Sequence, residues 1–221
     1  MTAVRPFRAA DLFAFNDVNM DHWTETYSNG FYLNYLAQWP DMALTANAPH
    51  TDTIVGYVLG KAEGREPRTE RALLRGRRAG PPTLHGHVTA VTVAPAYRRL
   101  GVAQMLMDFF EHVSAKVYSG YFVDLFVRPS NRTAIGMYEK RGYSVYRRVH
   151  AYYRGADPTQ VEDGYGAPQH MRKPLPRDAK QETVRAHGRS VVVQPEYVRG
   201  GQCAWADGRA TLFEPLVHSG V

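Results

Sequence analysis

The sequence predicts an α/β fold in which a mixed central sheet is flanked by helices. Two patterns predict it. Residues 87–93 read as a strand, which is followed by a glycine-containing turn and a strongly apolar helix. Residues 121–127 read as a buried strand, and a second helical segment follows them. Strands that alternate with helices in this way are typical of α/β domains.

The first part of the chain adds a strand and two helices. We expect the strand at residues 4–7 and an amphipathic helix from about Asp11. The apolar face of that helix would consist of Leu12, Phe13, Phe15 and Val18. After a polar, irregular stretch, Pro40 ends a second helix. That helix carries Phe31, Tyr32, Tyr35, Leu36 and Trp39.

The remaining strands complete the predicted sheet. Residues 42–46 and 54–61 form an antiparallel meander that leads into the strand at residues 87–93. A further strand pattern covers residues 143–153. From Arg154 the chain is polar and rich in Gly, Pro and Asp, with a short apolar return at Met171.

These patterns divide the chain into one domain at residues 1–178 and a C-terminal extension at residues 179–221. The extension has little periodicity apart from Val191, Val192 and Val193, so we expect a tail. An arginine-rich inserted loop interrupts the domain at about residues 65–84, and its arginines are Arg65, Arg68, Arg71, Arg75, Arg77 and Arg78. The segment is either a solvated surface loop or a contact for RNA or an acidic partner, because clustered arginines neutralise phosphates.

The turn Arg98-Arg99-Leu100-Gly101-Val102-Ala103 carries the strongest functional signal. Residues 102–113 recur with helical apolar spacing, so the turn lies at a helix N-terminus. There the unpaired backbone N–H groups and the positive end of the helix dipole favour an anion. Gly101 lets the backbone approach closely, and Ala103 keeps the first turn narrow. The alternative is an ordinary basic helix start.

A second motif extends this signal. Asn131, Ala134 and Tyr138 lie in a helix that ends near Gly142, directly after the strand at residues 121–127. With Arg98, Gly101 and Ala103 in an (Arg/Gln)-x-x-Gly-x-(Gly/Ala) signature, the chain resembles the GNAT superfamily of acetyl-coenzyme A transferases. The resemblance implies that the turn binds the coenzyme A pyrophosphate. It assigns the acetyl-CoA site to Val91, Val93, Arg98, Arg99, Gly101, Val102, Ala103 and Asn131.

Further segments resemble one GNAT branch, the catalytic subunits of NatB-type N-terminal acetyltransferases. They include Thr24-Glu25-Thr26-Tyr27, Gly86-His87-Val88-Thr89-Ala90, Phe122-Val123-Asp124-Leu125-Phe126-Val127-Arg128 and Met171-Arg172-Lys173. The branch acetylates an initiator methionine that precedes Asp, Glu, Asn or Gln. The resemblance also implies a large helical-repeat auxiliary subunit that brings the enzyme to ribosomes. Exposed aromatic residues such as Phe13, Tyr32 and Trp39 would form that interface, or else belong to the core.

The chemistry of acetyl transfer identifies the catalytic candidates. A free α-amino group has a pKa near 7.7 to 8.0, so a substantial fraction is neutral and reactive without a strong base. The departing thiolate needs a proton or a hydrogen bond, which a tyrosine can supply. The resemblance assigns this role to Tyr138, although Tyr138 also fits a core position. Glu25 and His87 are the candidates for proton removal.

The peptide site follows mainly from the resemblance, which places Glu25, Tyr27 and His87 around the incoming peptide. His87 and a tyrosine hydroxyl suit a side chain with carbonyl-type oxygens, because both donate hydrogen bonds. Tyr152 and Tyr153 would lie on a hairpin over the peptide entrance. We assign His87 mainly to recognition of the second residue and secondarily to proton transfer.

Composition limits the location and the cofactors. The net charge of +6 over 221 residues is modest, and no apolar run is long enough to span a membrane. The N-terminus does not lead into a signal core, and the single cysteine, Cys203, cannot form an intrachain disulfide. We expect a cytoplasmic enzyme. His85 and His87 point to one strand face, but no suitable third ligand accompanies them, so we expect no metal. Transfer would be direct, because the cysteine lies in the tail.

Two other functions remain open from the sequence alone. A GNAT enzyme that acts on lysine side chains or small amines would keep the coenzyme A turn and Tyr138 without needing a methionine-first peptide. A noncatalytic GNAT-like module would instead bind RNA or a partner through the arginine-rich loop. The NatB-like segments favour neither.

Overall fold

The computed structural model describes residues 2–21, 23–64, 84–149 and 168–193. The strands of this part of the chain form one mixed sheet, which confirms the predicted α/β class. They are β1 (Ala3–Pro6), β2 (Ala43–Asn47), β3 (Ile54–Glu63), β4 (His85–Val93), β5 (Phe122–Val127), β6 (Ser144–Val149), β7 (Gln169–Pro174) and β8 (Val192–Val193).

The spatial order of the strands is β1-β2-β3-β4-β5-β7-β6-β8. Strands β4 and β5 are parallel, as are β6 and β8, and the other neighbours are antiparallel. The parallel β4–β5 pair therefore lies in the middle of the sheet, between two antiparallel halves. Its connection is the predicted crossover helix.

Among the described residues, four α-helices accompany the sheet: α1 (Asn16–Asn19), α2 (Asn29–Gln38), α3 (Val102–Lys116) and α4 (Arg132–Lys140). Local chemistry sets their ends. The Ser28 side chain accepts a hydrogen bond from the backbone N–H of Phe31 at the start of α2, and Pro40 follows its end. Asn131 caps α4 in the same way through the N–H of Ala134.

Alternation along the strands builds a core on each face of the sheet. Tyr57 and Leu59 pack with Phe15, Val18 and residues of α2 on one face. The opposite face packs on α3 and α4, through residues that include Val58, Val88, Leu106, Met107, Phe110, Val123, Leu125 and Tyr138. Along β5, Val123 and Leu125 belong to the α3 side, so Asp124 between them points to the other face.

The prediction that Phe13 lies on the apolar face of the first helix is wrong, whereas the alternative that it is an exposed aromatic residue is confirmed. A 3-10 turn at Ala9–Phe13 precedes the separate helix α1, where one continuous helix was expected. The interruption keeps Leu12, Phe15 and Val18 in the core but leaves Phe13 88% exposed. Tyr32 is a core residue, and Trp39 is half-buried against both apolar clusters.

The chain after Asp178 also differs from the expected tail. Within residues 179–193, a 3-10 turn and β8 lie against β6, so this segment extends the sheet edge. The division into domains at residue 178 stays a prediction. The arginine-rich segment at residues 65–83 and the end of the predicted strand at residues 150–153 lie outside the described residues.

Candidate active site

Strands β4 and β5 separate near the middle of the sheet. Their register runs from His85 opposite Phe122 to Val88 opposite Leu125 and ends there. Strand β4 continues to Val93, still paired with β3 on its other side, and β5 continues to Val127. A wedge-shaped gap therefore opens between the two strands toward their carboxyl ends.

The turn after β4 presents backbone donors at this end of the sheet. Gly101 has a φ of 81° and caps α3, a conformation that favours glycine. The first bond of α3 runs from the N–H of Met105 to the carbonyl of Gly101 at 3.0 Å. The N–H groups of the preceding residues therefore lie at the positive end of the helix dipole, a geometry that fits a pyrophosphate.

Two ion pairs tie the loop after α1 across the gap. Asp21 accepts a hydrogen bond at 2.6 Å from Nη2 of Arg98, which follows β4 in the chain. Glu25 accepts one from Nη2 of Arg128, just after β5. Because β4 and β5 are parallel, both arginines lie at the same edge of the sheet. The loop that carries Glu25 therefore spans the mouth of the gap.

A buried hydrogen-bond network places Tyr27 in the same loop. The N–H of Tyr27 donates to the hydroxyl of Tyr32 at 3.2 Å, and that hydroxyl donates to Oδ1 of Asn19 at 3.2 Å. The hydroxyl of Tyr57 donates to the same oxygen at 2.6 Å. The Tyr27 ring stacks on Phe31 with centroids 4.2 Å apart. These contacts anchor the loop to the core on the face of the sheet that packs against α2.

Tyr138 lies in α4, buried against Tyr143 with ring centroids 5.6 Å apart. The helix ends in a Schellman arrangement, in which the N–H of Tyr143 bonds to the carbonyl of Tyr138. Glu111 of α3 accepts hydrogen bonds from the Tyr143 hydroxyl and from Arg141, both at 3.0 Å. Burial raises the pKa of the Tyr138 phenol, so the phenol stays protonated at neutral pH.

The predicted acetyl-CoA residues surround the gap and the turn. Val91 and Val93 lie on the part of β4 that has separated from β5. Arg98 joins the turn to the strand, because its Nε donates to the carbonyl of Val93 at 3.0 Å. Arg99 has a φ of 66° within the turn. Asn131 uses its Oδ1 to cap α4 at 3.1 Å from the N–H of Ala134.

His87 lies one residue before the point where β4 and β5 separate. Its Nδ1 is 2.8 Å from Oδ1 of Asp124, directly opposite on β5. Oδ2 of Asp124 is 2.7 Å from Nε2 of His170 and 3.4 Å from Nε2 of His85. Burial alone would raise the pKa of the Asp124 carboxyl, but the histidines hold it well below its usual range. Asp124 is therefore a buried carboxylate.

The polar face continues onto β3. His85 lies between Asp124 and Glu63, with its Nε2 3.6 Å from Oε2 of Glu63. Glu63 pairs with Lys61, which lies opposite His87 in the β3–β4 register. Burial opposes the charge of both groups, yet hydrogen bonds and neighbouring charges raise the pKa of Lys61 and lower that of Glu63. Both stay charged at neutral pH.

His170 has an environment that keeps it neutral. Burial lowers its pKa to about 4, and the guanidinium groups of Arg172 and Arg147 act in the same direction. Its Nδ1 accepts a hydrogen bond from Nε of Arg147 at 3.0 Å, so its own proton is on Nε2 and points to Asp124. The direction of this chain of hydrogen bonds is therefore fixed.

We predict that His170 makes the protein lose stability in mild acid, at pH values above those at which carboxylates usually titrate. An unfolded histidine binds a proton near pH 6.5, whereas His170 in the fold resists protonation until about pH 4. The free energy of unfolding should therefore fall as the pH drops from 6.5 to 4.5, by on the order of 2 to 3 kcal/mol from this residue. Urea denaturation of the wild type and His170→Gln at pH 7.0, 5.5 and 4.5 measures the difference. Parallel pH curves would contradict the prediction.

The catalytic candidates come from three separate elements. Glu25 lies in the loop across the mouth, His87 on β4 and Tyr138 on α4. Within the described residues, no hydrogen bond, ion pair or ring contact joins Tyr138 to Glu25 or His87. Tyr152 and Tyr153 lie outside the described residues, as does Cys203.

Several residues at the site were missed by the sequence reasoning. Asp124 and Arg128 were recognised only as parts of a matching segment, while Asp21, Arg147 and His170 were not selected at all. Asp124 did leave a signal, since a single carboxylate interrupts the apolar run of β5. No three His, Cys, Asp or Glu residues among those described are arranged to hold a metal ion. In the same part of the chain, no helix is long and apolar enough to cross a membrane.

Comparison with known proteins gives matches over most of the chain. The family model described as the acetyltransferase (GNAT) family matches residues 12–143. The N-terminal acetyltransferase B complex catalytic subunit NAA20 of Arabidopsis thaliana is 46% identical over 184 residues, which are 83% of this chain and 91% of the relative.

Solved structures agree with this match. Naa20 of Chaetomium thermophilum in complex with a bisubstrate analogue has a TM-score of 0.73 and 39% identity, covering 89% of this chain and 98% of that one. A chain of the NatB acetyltransferase complex bound to CoA and MES has a TM-score of 0.62 and 35% identity, covering 79% of this chain and 99% of that one.

Proposed function

The chain belongs to the GNAT acetyltransferase family, in its branch of NatB catalytic subunits, and we propose that it acetylates the α-amine of an initiator methionine that is followed by Asp, Glu, Asn or Gln. The observation that carries the proposal is the gap between β4 and β5. The gap has an anion-binding turn at its outer end and His87, backed by Asp124, at its inner end. This arrangement offers a site for each of two substrates.

Acetyl-CoA is the acetyl donor and supplies the thioester. We propose that the N–H groups of Val102 and Ala103, together with Arg98 and Arg99, hold its pyrophosphate. Gly101 gives the turn the shape that this contact needs. The backbone of Val91 and Val93 faces the gap on the side that β5 has left, which supports a role in binding the rest of the donor. Asn131 belongs to the same proposed site.

Tyr138 is the proposed general acid. Its buried phenol stays protonated at neutral pH, which suits a group that donates a proton and does not remove one. The Schellman end of α4 and the anchoring of Arg141 and Tyr143 on Glu111 hold the helix around it. A rigidly placed phenol reduces the reorganisation needed when the thiolate departs.

Glu25 and His87 are the proposed groups around the amine and the second residue. A fraction of the α-amine is already neutral near pH 7.5. A weak base is therefore sufficient, and Glu25 or His87 can act as that base directly or through a water molecule. Recognition of the second residue is the main role that we propose for His87, with Tyr27 beside it in the loop that spans the mouth. Tyr152 and Tyr153 are proposed to cover the peptide, and transfer to the amine is direct.

NatB complex structures among the relatives imply an auxiliary subunit. We propose that this subunit is a helical-repeat protein that brings the enzyme to ribosomes in the cytoplasm. The exposed apolar side chains Phe13 (88% exposed) and Met20 (76% exposed) support an interface beside α1. Of the three aromatic residues that the sequence suggested for this contact, Phe13 is exposed, Trp39 is half-buried and Tyr32 belongs to the core.

A peptide panel tests the proposed function. The full chain, with and without a candidate auxiliary subunit, is assayed with acetyl-CoA on peptides that begin Met-Asp, Met-Glu, Met-Leu or Ser-Glu. A peptide with a blocked N-terminus and one lysine completes the panel. Selective turnover of Met-Asp and Met-Glu is expected. Equal activity on the blocked lysine peptide would point to a side-chain acetyltransferase. No activity on any peptide would favour a noncatalytic module.

A further inference from the structure

Asp124 is buried, and both of its oxygens accept hydrogen bonds from histidines. Its side chain is 5% exposed, with Oδ1 turned to His87 and Oδ2 to His170. Removing a carboxylate from water is costly, and the ion pairs and hydrogen bonds that it makes must offset this cost. Asp124 therefore places a buried negative charge at the inner end of the substrate gap.

The contacts on the far side of Asp124 keep it anionic and oriented. Arg147 donates to Nδ1 of His170, and His170 in turn donates from Nε2 to Oδ2. His170 therefore has no proton on the atom that faces Arg147 and cannot turn its other nitrogen to Asp124 without losing a hydrogen bond. Oδ1 is left for His87, at 2.8 Å.

We propose that Asp124 is a positioning residue that lets His87 accept both acidic and amide second residues. This rests on the proposed function of the site. Asp124 holds the Nδ1 proton of His87 and leaves Nε2 as the atom that meets the peptide. Neutral His87 accepts a hydrogen bond at Nε2 from the amide of Asn or Gln. With a proton taken up from solvent at Nε2, His87 donates to the carboxylate of Asp or Glu, and Asp124 balances the positive charge.

Four other titratable groups around His87 each keep one protonation state at neutral pH. Lys61 and Glu63 on β3 stay ionised, Asp124 on β5 stays anionic, and His170 on β7 stays neutral. His85, on the same strand and between the two carboxylates, is the other histidine that faces this group. A His85→Gln variant therefore separates the contribution of His85 to selectivity from that of His87.

The test compares two peptides that differ only in Met-Glu against Met-Gln, using the enzyme with its auxiliary subunit. The measured quantity is the ratio of their kcat/KM values. Asp124→Asn should lower the Met-Glu to Met-Gln ratio about tenfold, equivalent to about 1.4 kcal/mol. A purely structural defect lowers kcat/KM equally for both peptides, because both bind at the same site. An unchanged ratio in a variant that still turns over both peptides would overturn the proposal.

Asp11→Asn is the matched control. Asp11 is also buried and accepts hydrogen bonds from Arg5 and from the N–H of Arg8, but it lies beside β1, three strands away from β4. We expect it to lower stability while leaving the ratio unchanged. A ratio that falls equally in both variants would attribute the effect to lost stability and overturn the role of Asp124.

A second measurement needs no change at Asp124. In His85→Gln the Met-Glu to Met-Gln ratio should match that of the unaltered enzyme, because His85 approaches Asp124 only at Oδ2, whereas His87 pairs with Oδ1. A ratio that falls as far in His85→Gln as in Asp124→Asn would assign the effect to His85 and overturn the proposal. Failure of both peptides to react with the unaltered enzyme would overturn the proposed function as well.

Discussion

Replacing Tyr138 with phenylalanine is expected to lower kcat by about 10²- to 10⁴-fold while the protein stays folded. The substitution removes only the hydroxyl that we propose as the proton donor to the departing thiolate. The ring, which packs against Tyr143 in the core, remains. Since burial keeps the phenol protonated, the loss should persist across pH 6 to 8.

Tyr143→Phe is the matched control for this prediction. Tyr143 is equally buried at the end of the same helix, but its hydroxyl donates to Glu111 at 3.0 Å. Its removal should cost about 1 to 2 kcal/mol of unfolding free energy and leave kcat within a few-fold. Steady-state kinetics with saturating acetyl-CoA, together with urea denaturation, separate the two effects. A Tyr138→Phe enzyme that matches wild-type kcat would remove Tyr138 from the mechanism.

The centre of the fold was predictable because its signals are local. The alternation in β4 ends where Pro95 removes a backbone donor, and helical spacing begins again after Gly101. Both boundaries depend on a few neighbouring residues. The anion-binding turn lies between them, so the sequence identified it together with its flanking elements.

Phe13 shows where local periodicity fails. A 3-10 turn advances three residues per turn and an α-helix 3.6, so a change from one to the other shifts the phase of the apolar face. The sequence from Asp11 to Val18 fits one helix by composition, but the structure breaks it after Phe13. Leu12 and Val18 still reach the core, whereas Phe13 turns to the surface.

The network behind His87 depends on contacts that are distant in sequence. Asp124 is 37 residues from His87 and 46 from His170. Its pairing with β7 depends on a strand that returns after the segment at residues 150–167. In the structure, the alternation of β5 places Asp124 on the face opposite α3. The identity of its partners required the register of three strands, which the sequence does not specify.

Gly60→Ala, which adds one methyl group near the site, is expected to destabilise the protein strongly. Gly60 lies at the irregularity in the β3–β4 register. A Cβ there would stand closer than 3.0 Å to the backbone carbonyl oxygen of His87 and to the ring of Phe110. Phe110 is fully buried and the carbonyl belongs to the sheet, so neither yields easily. We expect a loss of about 3 kcal/mol in unfolding free energy.

Gly136→Ala makes the same chemical change with the opposite expected sign. Gly136 lies inside α4, and no described heavy atom comes within 4 Å of the position that its Cβ would take. Alanine is favoured over glycine within a helix, so this variant should be about 0.5 to 1 kcal/mol more stable than wild type. Urea denaturation at pH 7 measures both. Because both variants add one methyl group, opposite signs would attribute the Gly60 effect to the crowding between β3, β4 and α3. Equal stability of Gly60→Ala and wild type would mean that this part of the sheet can relax, and that His87 is less rigidly held than the proposed positioning by Asp124 requires.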